Sequence, residues 1–250
     1  MITTVTFDLW NTLIHDTREN GETRTASRLD QVKGILQRSN INITIDALKQ
    51  GYFQCLHDCV NIRSTGKDVT FSEQIRIFLD NSEVGIYENL DHQAICQVEN
   101  AYADVYLTYP SVMDPTSLNL IRALKSLRIK LAIISNTSMT PGTTFRKFLF
   151  SNKIGQYFDA LIFSDELQTS KPDRYIYDYT LSKLSSAPSE SLHVGDQYST
   201  DVKGSIGAGM KSALIDPKPD QGTWDVGPPT YTFPSLSDFR NDLKTVLENS

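Results

Sequence analysis

The run Ile2-Thr3-Thr4-Val5-Thr6-Phe7-Asp8-Leu9-Trp10-Asn11-Thr12-Leu13 decides how this chain is read. Its first six residues are β-branched or aromatic, which suits a strand over Ile2–Phe7. Asp8 stands where that strand should end. Open parallel sheets bind ligands beyond the carboxyl ends of their strands, so an acid there is a candidate functional group. One acid after one strand is more often a cap or a turn, and the rest of the chain has to decide.

Further β-rich runs follow at Lys130–Ile134, Ala160–Phe163, Leu192–Val194 and Lys211–Ile215. Amphipathic stretches of helical period, such as Pro115–Leu127, Pro172–Leu184 and Thr200–Ala208, lie between most of them. The alternation predicts an α/β fold, with a Rossmann-like parallel sheet and helices on both faces. From Asp16 to Val112 no buried strand is legible. Helices are expected instead over Glu22–Arg38, Thr44–Ile62, Thr70–Leu79 and Asn89–Leu107, with breaks at Asn40, Gly66, Asn81 and Gly85. The expected organisation is an α/β core of residues 1–15 and 113–250, with residues 16–112 inserted as a helical cap. Pro217–Pro229 reads as a loop and Tyr231–Phe233 as a short edge strand. Asp238–Glu248 reads as a last helix with Ser237 at its N-cap.

The residues after the other strands are Ser135-Asn136, Lys171-Pro172, and Gly195-Asp196 with Asp201 five positions on. Each has an ordinary explanation: a helix start, a surface lysine, a pair of helix caps. Together and in order, they are hard to obtain as independent accidents. Asp8-Leu9-Trp10-Asn11-Thr12, Ser135, Lys171-Pro172 and Gly195-Asp196-x4-Asp201 resemble, in sequence, the four motifs of the haloacid dehalogenase (HAD) superfamily. Val194 through Met210 is especially similar to the fourth motif and the helix after it. The resemblance covers the whole core. The helical insertion between the first two motifs is similar to the cap of the dehalogenase and phosphoglycolate phosphatase branch.

The resemblance implies a division of roles. Asp8 is the nucleophile that attacks phosphorus, or carbon, and forms a covalent aspartyl intermediate. Mg²⁺ is held by the Asp8 carboxylate, the backbone carbonyl of Trp10 and Asp196, with Asp201 supporting these rather than necessarily binding the ion. Thr12, Ser135 and the Asn136 amide donate to oxygens of the transferred group, and Lys171 screens the charge on it and on Asp8. A shared ion requires the Asp8 and Asp196 carboxylates within roughly 8 Å, given Mg–O distances near 2.1 Å.

One position departs from the pattern. The family's phosphatases carry a second Asp two residues after the nucleophile, which protonates the leaving group; here that residue is Trp10, whose indole N–H is no acid near neutral pH. The family's dehalogenases also lack that Asp, since a halide leaves without a proton, but they work without metal and do not keep the Gly-Asp pair seen at Gly195-Asp196. Intact Asp196 and Asp201 favour Mg²⁺-dependent phosphoryl chemistry. The alternatives are a 2-haloacid dehalogenase-like hydrolase using Asp8, and a homologue that binds a phosphorylated ligand without turnover.

Composition sets the remaining bounds. The 250 residues carry a net charge of −6, which argues against nucleic acid as the main partner. No apolar run reaches the roughly 18 residues a membrane span needs, and the N-terminal segment does not resemble a signal peptide. The expected partner is a small phosphorylated molecule, with no membrane or nucleic acid, for a cytoplasmic monomer or homodimer. The three cysteines, Cys55, Cys59 and Cys96, form no CxxC pair and read as reduced thiols rather than metal ligands. His15, Arg18 and Arg24 follow the first motif closely enough to reach the site, although solvated charges are the plainer reading. His57, Arg63 and Trp224 carry no stronger signal.

Overall fold

The structure is a computed structural model describing residues 1–218 and 224–248. Its centre is β1 (Thr4–Phe7), flanked by β4 (Lys130–Ser135) and β6 (Ser191–Gly195). With β5 (Ala160–Phe163), β7 (Lys211–Ile215) and β8 (Tyr231–Phe233) they form a six-stranded sheet of order β5-β4-β1-β6-β7-β8, parallel at every pairing. Alternate residues of each strand face opposite sides. Val5, Phe7, Leu131 and Ile133 pack against α5 (Ser117–Ser126), α6 (Gly142–Ser151), α10 (Leu236–Asn241) and α11 (Leu243–Glu248). Ile134 packs on the other side with Ile176, Tyr177 and Leu181 of α8 (Arg174–Leu184), beyond which lies α9 (Lys203–Gly207). The parallel sheet with helices on both faces is the α/β architecture the alternation predicts.

The chain leaves the sheet through β2 (Ile14–His15) and returns through β3 (Val112–Met113), which pair antiparallel as a ribbon the sequence did not reveal. Between them run α1 (Arg18–Arg38), α2 (Ile45–Ser64), α3 (Phe71–Ser82) and α4 (His92–Thr108). Each starts at a side-chain cap: Thr17, Thr44, Thr70 and Asp91 accept from the amides of Asn20, Ala47, Glu73 and Ala94. A cap of this kind is worth about 1 kcal/mol. The four helices bury a cluster of their own, including Val32, Leu36, Leu48, Phe78, Val98 and Tyr102, joined from the sheet side by Met139. Gly66 and Lys67 tie this segment to the loop before Lys171, through Ser170 N–H donating to Gly66 O at 2.9 Å and a bridge from Lys67 to Thr169. No helix of the described residues is long and apolar enough to cross a membrane.

Several boundaries differ from expectation for local reasons. The first helix starts at Arg18 rather than Glu22, because Thr17 supplies its cap. Asn81 does not break α3, which runs to Ser82; Asn40, Gly66 and Gly85 do turn the chain, each with positive φ. The stretch after Asp196 opens as a π-turn, Tyr198–Val202, before the α-helical turns of α9. Ser235, not Ser237, caps the last helical stretch, which is divided at Asp242. Of the expected loop at 217–229, residues 219–223 lie outside the described residues, and 224–230 form no helix or strand.

Candidate active site

Asp8 is fixed by the end of β1, where its amide donates to Val194 O at 2.8 Å. The chain then reverses at once. Asn11 takes a left-handed conformation (φ 53°), which asparagine tolerates better than most residues. That turn brings Asn11 near Asp196, where its side chain favours the charged carboxylate.

The four candidate motifs converge on one spot. Lys171 Nζ lies 2.6 Å from Asp8 Oδ1 and 2.6 Å from Asp201 Oδ1, with all three side chains buried. Carboxylate oxygens of Asp8, Asp196 and Asp201 lie within 4.8 Å of one another, which is the only group of potential metal-ligating side chains of this kind among the described residues. Asp201 is held from behind by His193 Nε2 at 3.0 Å and by the Gln197 amide at 3.0 Å. His193 Nδ1 in turn meets Thr6 Oγ1 at 2.8 Å. Tyr177, edge-on to the His193 ring, closes that side and donates to Thr200 O.

Burial pushes the Asp8 carboxyl up to about 7; the Asp201 and Asp196 charges add to this while Lys171 opposes it. Burial, reinforced by Asp201, also raises Asp196, while the Asn11 side chain and Lys171 oppose the rise. For Asp201 burial is outweighed by Lys171 and His193, so its carboxyl stays below the usual range. Burial disfavours the Lys171 ammonium, yet Asp201 and Asp8 more than compensate and hold it charged. Burial lowers His193, keeping the imidazole neutral near pH 7. Three acidic side chains thus share a single ammonium among the described residues.

The remaining candidates surround this centre. Ser135 is the last residue of β4 and fully buried, with Oγ directed at Asn136 O at a long 3.4 Å. The Asn136 side chain clamps the backbone of Lys171, donating to Lys171 O at 2.9 Å and accepting from Lys171 N at 2.7 Å. The buried Thr12 hydroxyl has no hydrogen-bond partner among the described residues. Trp10 is half-buried, edge-on to Phe145 (5.5 Å between centroids) and Tyr106 (6.3 Å), and its indole Nε1 is buried with no hydrogen-bond partner among the described residues. The side chain that replaces an acid is thus set in an aromatic cluster.

The outer residues divide. Arg18, Arg24 and Trp10 line a cleft of about 880 Å³ between the helical segment and the sheet. Arg24 is buried against Asp16 and Tyr109 O. His15 points to Asp114 at 3.1 Å and is not among the cleft residues. His57 is exposed beside Asn61, Arg63 pairs with Asp68, and Trp224 packs edge-on against Tyr198. Cys55 and Cys59 are buried thiols 4.0 Å apart. Sequence reasoning passed over His193, Thr6 and Asn11; an isolated histidine within the apolar run Leu192–Val194 was the available signal.

The fold and these clustered residues define the class, and comparison with known proteins agrees. Residues 2–209 match the family described as haloacid dehalogenase-like hydrolase, and the chain belongs to that family. Among curated proteins it is similar to glyceraldehyde 3-phosphate phosphatase of Methanothermobacter thermautotrophicus, 30% identical over 104 residues, 41% of this chain and 44% of that one. The matches span about half the length of such relatives. Two solved structures share the fold across nearly the whole chain. One is a HAD phosphatase from Thermococcus onnurineus (TM-score 0.65, 20% identity, 99% of this chain and 98% of that one). The other is a 2-haloacid dehalogenase from Pseudomonas syringae pv. Tomato (TM-score 0.68, 19% identity, 100% and 99%).

Proposed function

We propose that the chain is a Mg²⁺-dependent phosphohydrolase that moves a phosphoryl group from a small phosphorylated molecule to Asp8 and then to water. The observation that carries this reading is the charge imbalance at the strand ends: three carboxylates within 4.8 Å, and Lys171 as their one ammonium. An all-oxygen donor set with excess negative charge suits Mg²⁺. Asp8, the Trp10 carbonyl and Asp196 would hold it, with Asp201 bracing them. When bound, the ion would offset repulsion between an anionic nucleophile and an anionic substrate.

The chain's own groups do the rest. A carboxylate oxygen of Asp8 attacks phosphorus as the bond to the leaving oxygen breaks, giving an aspartyl-phosphate. Water then attacks the same phosphorus and releases the Asp8 carboxylate with inorganic phosphate. Lys171 stays protonated beside Asp8 throughout and screens the equatorial oxygens. Thr12, Ser135 and the Asn136 amide donate to those oxygens, and the unpartnered Thr12 hydroxyl supports this role. Asn136 also positions Lys171 through its two backbone bonds. Residues 16–112 act as the cap that encloses substrate. The phosphatase activity named for the Methanothermobacter relative supports phosphate rather than halide chemistry.

Trp10 favours a second reading, halide displacement by Asp8, because a halide needs no proton. One experiment separates the two. Purified protein is assayed for phosphate release from a panel of phosphate esters and acyl phosphates, with Mg²⁺ and with chelator, and for chloride release from 2-chloro acids. Phosphate release that disappears in chelator supports the proposal. Chloride release that persists in chelator establishes the dehalogenase, and neither activity indicates a binding protein.

A further inference from the structure

We propose that Arg28 is a receptor for a second oxyanion, carried by the leaving-group end of the substrate; this rests on the phosphoryl-transfer reading above. Arg28 sits mid-way along α1 and is only 3% exposed, yet it lines the cleft whose floor includes Trp10, two residues from the nucleophile. Its Nε donates to Tyr102 O at 3.1 Å and its Nη2 to Thr140 Oγ1 at 2.7 Å, with the guanidinium 4.5 Å from the centre of the Tyr102 ring. Both bonds go to neutral oxygens. No carboxylate pairs with Arg28 among the described residues, whereas Arg24, on the same wall, is matched by Asp16.

A buried cation without a counter-charge is costly, and a guanidinium has five N–H donors of which these contacts use two. The acids that line the cleft do not relieve it: Glu22, Asp30 and Asp46 are exposed, and Glu22 is engaged by Arg18. Tyr102 and Thr140 hold the guanidinium fork in place before any ligand arrives, which limits the ordering needed to bind one. With Trp10, two residues along the chain from Asp8, and Arg28 both lining the cleft, the geometry fits a phosphate ester or acyl phosphate whose leaving group bears a carboxylate or a second phosphate. A neutral sugar or nucleoside would leave the charge of Arg28 unmatched.

The test uses matched leaving groups on the full chain with Mg²⁺: 4-carboxyphenyl phosphate against 4-carbamoylphenyl phosphate, and 4-(phosphonomethyl)phenyl phosphate as the second oxyanion. The anionic member of the pair should be preferred in kcat/KM by roughly tenfold to a hundredfold, mainly through KM, the factor carried by a hydrogen bond to a charged group. Comparing the carboxylate and phosphonate arms shows which oxyanion fits better. Arg28→Gln should bring the preference close to one, and Arg28→Lys should restore part of it. Should Arg28→Gln fail to fold, benzoate against benzamide as inhibitors of the unmodified protein asks the same question. Equal use of the charged and neutral substrates, or equal inhibition, overturns the proposal while leaving phosphoryl transfer intact. If no substrate turns over, the activity reading fails separately, and calorimetric titration of the same two compounds still decides the receptor: equal affinity sinks it, and preference for the anion that is lost in Arg28→Gln upholds it.

Discussion

Asp201 occupies the space that a side chain on Gly195 would need: a Cβ built there falls within contact distance of the Asp201 carboxylate. Gly195 therefore does more than end β6, since its bare backbone lets Asp201 reach Lys171 and His193. Gly195→Ala should push Asp201 aside, lower stability by about 1–3 kcal/mol as overpacking does, and weaken Mg²⁺ binding. Urea denaturation and metal titration of the same variant measure the two effects. A variant as stable and as metal-competent as the parent would show that Asp201 is not held by this contact.

Asp196→Ala should remove Mg²⁺ binding and any phosphatase activity while the far-ultraviolet circular dichroism stays unchanged, because Asp196 is only partly buried at the end of a strand. Asp8→Asn should lose turnover but keep the fold, since it removes the nucleophilic carboxylate. Full activity of either variant, or of the parent in chelator, contradicts the proposed mechanism.

Trp10 should restrict the enzyme to good leaving groups. Without a general acid the leaving oxygen departs with its full negative charge, and general acid catalysis is typically worth about 10²–10⁴-fold. The rate should fall steeply with leaving-group pKa where cleavage limits turnover. Trp10→Asp should flatten that dependence and help alkyl phosphates most. The variant loses the packing on Phe145 and Tyr106, so its folded fraction is checked first. A shallow slope in the unmodified protein would reveal another proton source.

Asp165 gives a pH signature from a carboxyl that is not one of the candidate metal ligands. It is 6% exposed, and burial, reinforced by Glu166 and Asp68, pushes its carboxyl up to about 6 despite the Gly142 amide that donates to it. Between the ordinary carboxyl value of 3.8 and about 6 the folded state binds more protons than the unfolded state, so stability falls as pH rises. Above about 6 the whole cost of roughly 3 kcal/mol is present. Asp165→Asn keeps an acceptor for Gly142 and cannot ionise. Its stability relative to the parent, from urea denaturation, should rise from little or no gain near pH 4 to its largest gain near pH 8. A difference that does not change with pH would place the Asp165 carboxyl in the ordinary range.

The sheet was legible in the sequence, because β-rich runs leading to Asp8, Ser135 and Gly195-Asp196 specify both the strands and the edge where ligands bind. The four helices between the first two strands of the core were legible from their periodicity, with Thr44 and Thr70 near two of the starts, whereas the Thr17 and Asp91 caps that set the other two starts were not read from the sequence. Tertiary structure decided what depends on residues far apart in sequence. Lys171 meets Asp8 across 163 positions and Asp201 across 30. His193 becomes a brace only because β1 and β6 lie in register, with Thr6 opposite it. Nothing in the sequence singles out Arg28 within the expected helix Glu22–Arg38. Folding buried it against Tyr102 and Thr140 with no acid paired to it among the described residues, since periodicity records which face of a helix turns inward but not which charges that face will meet.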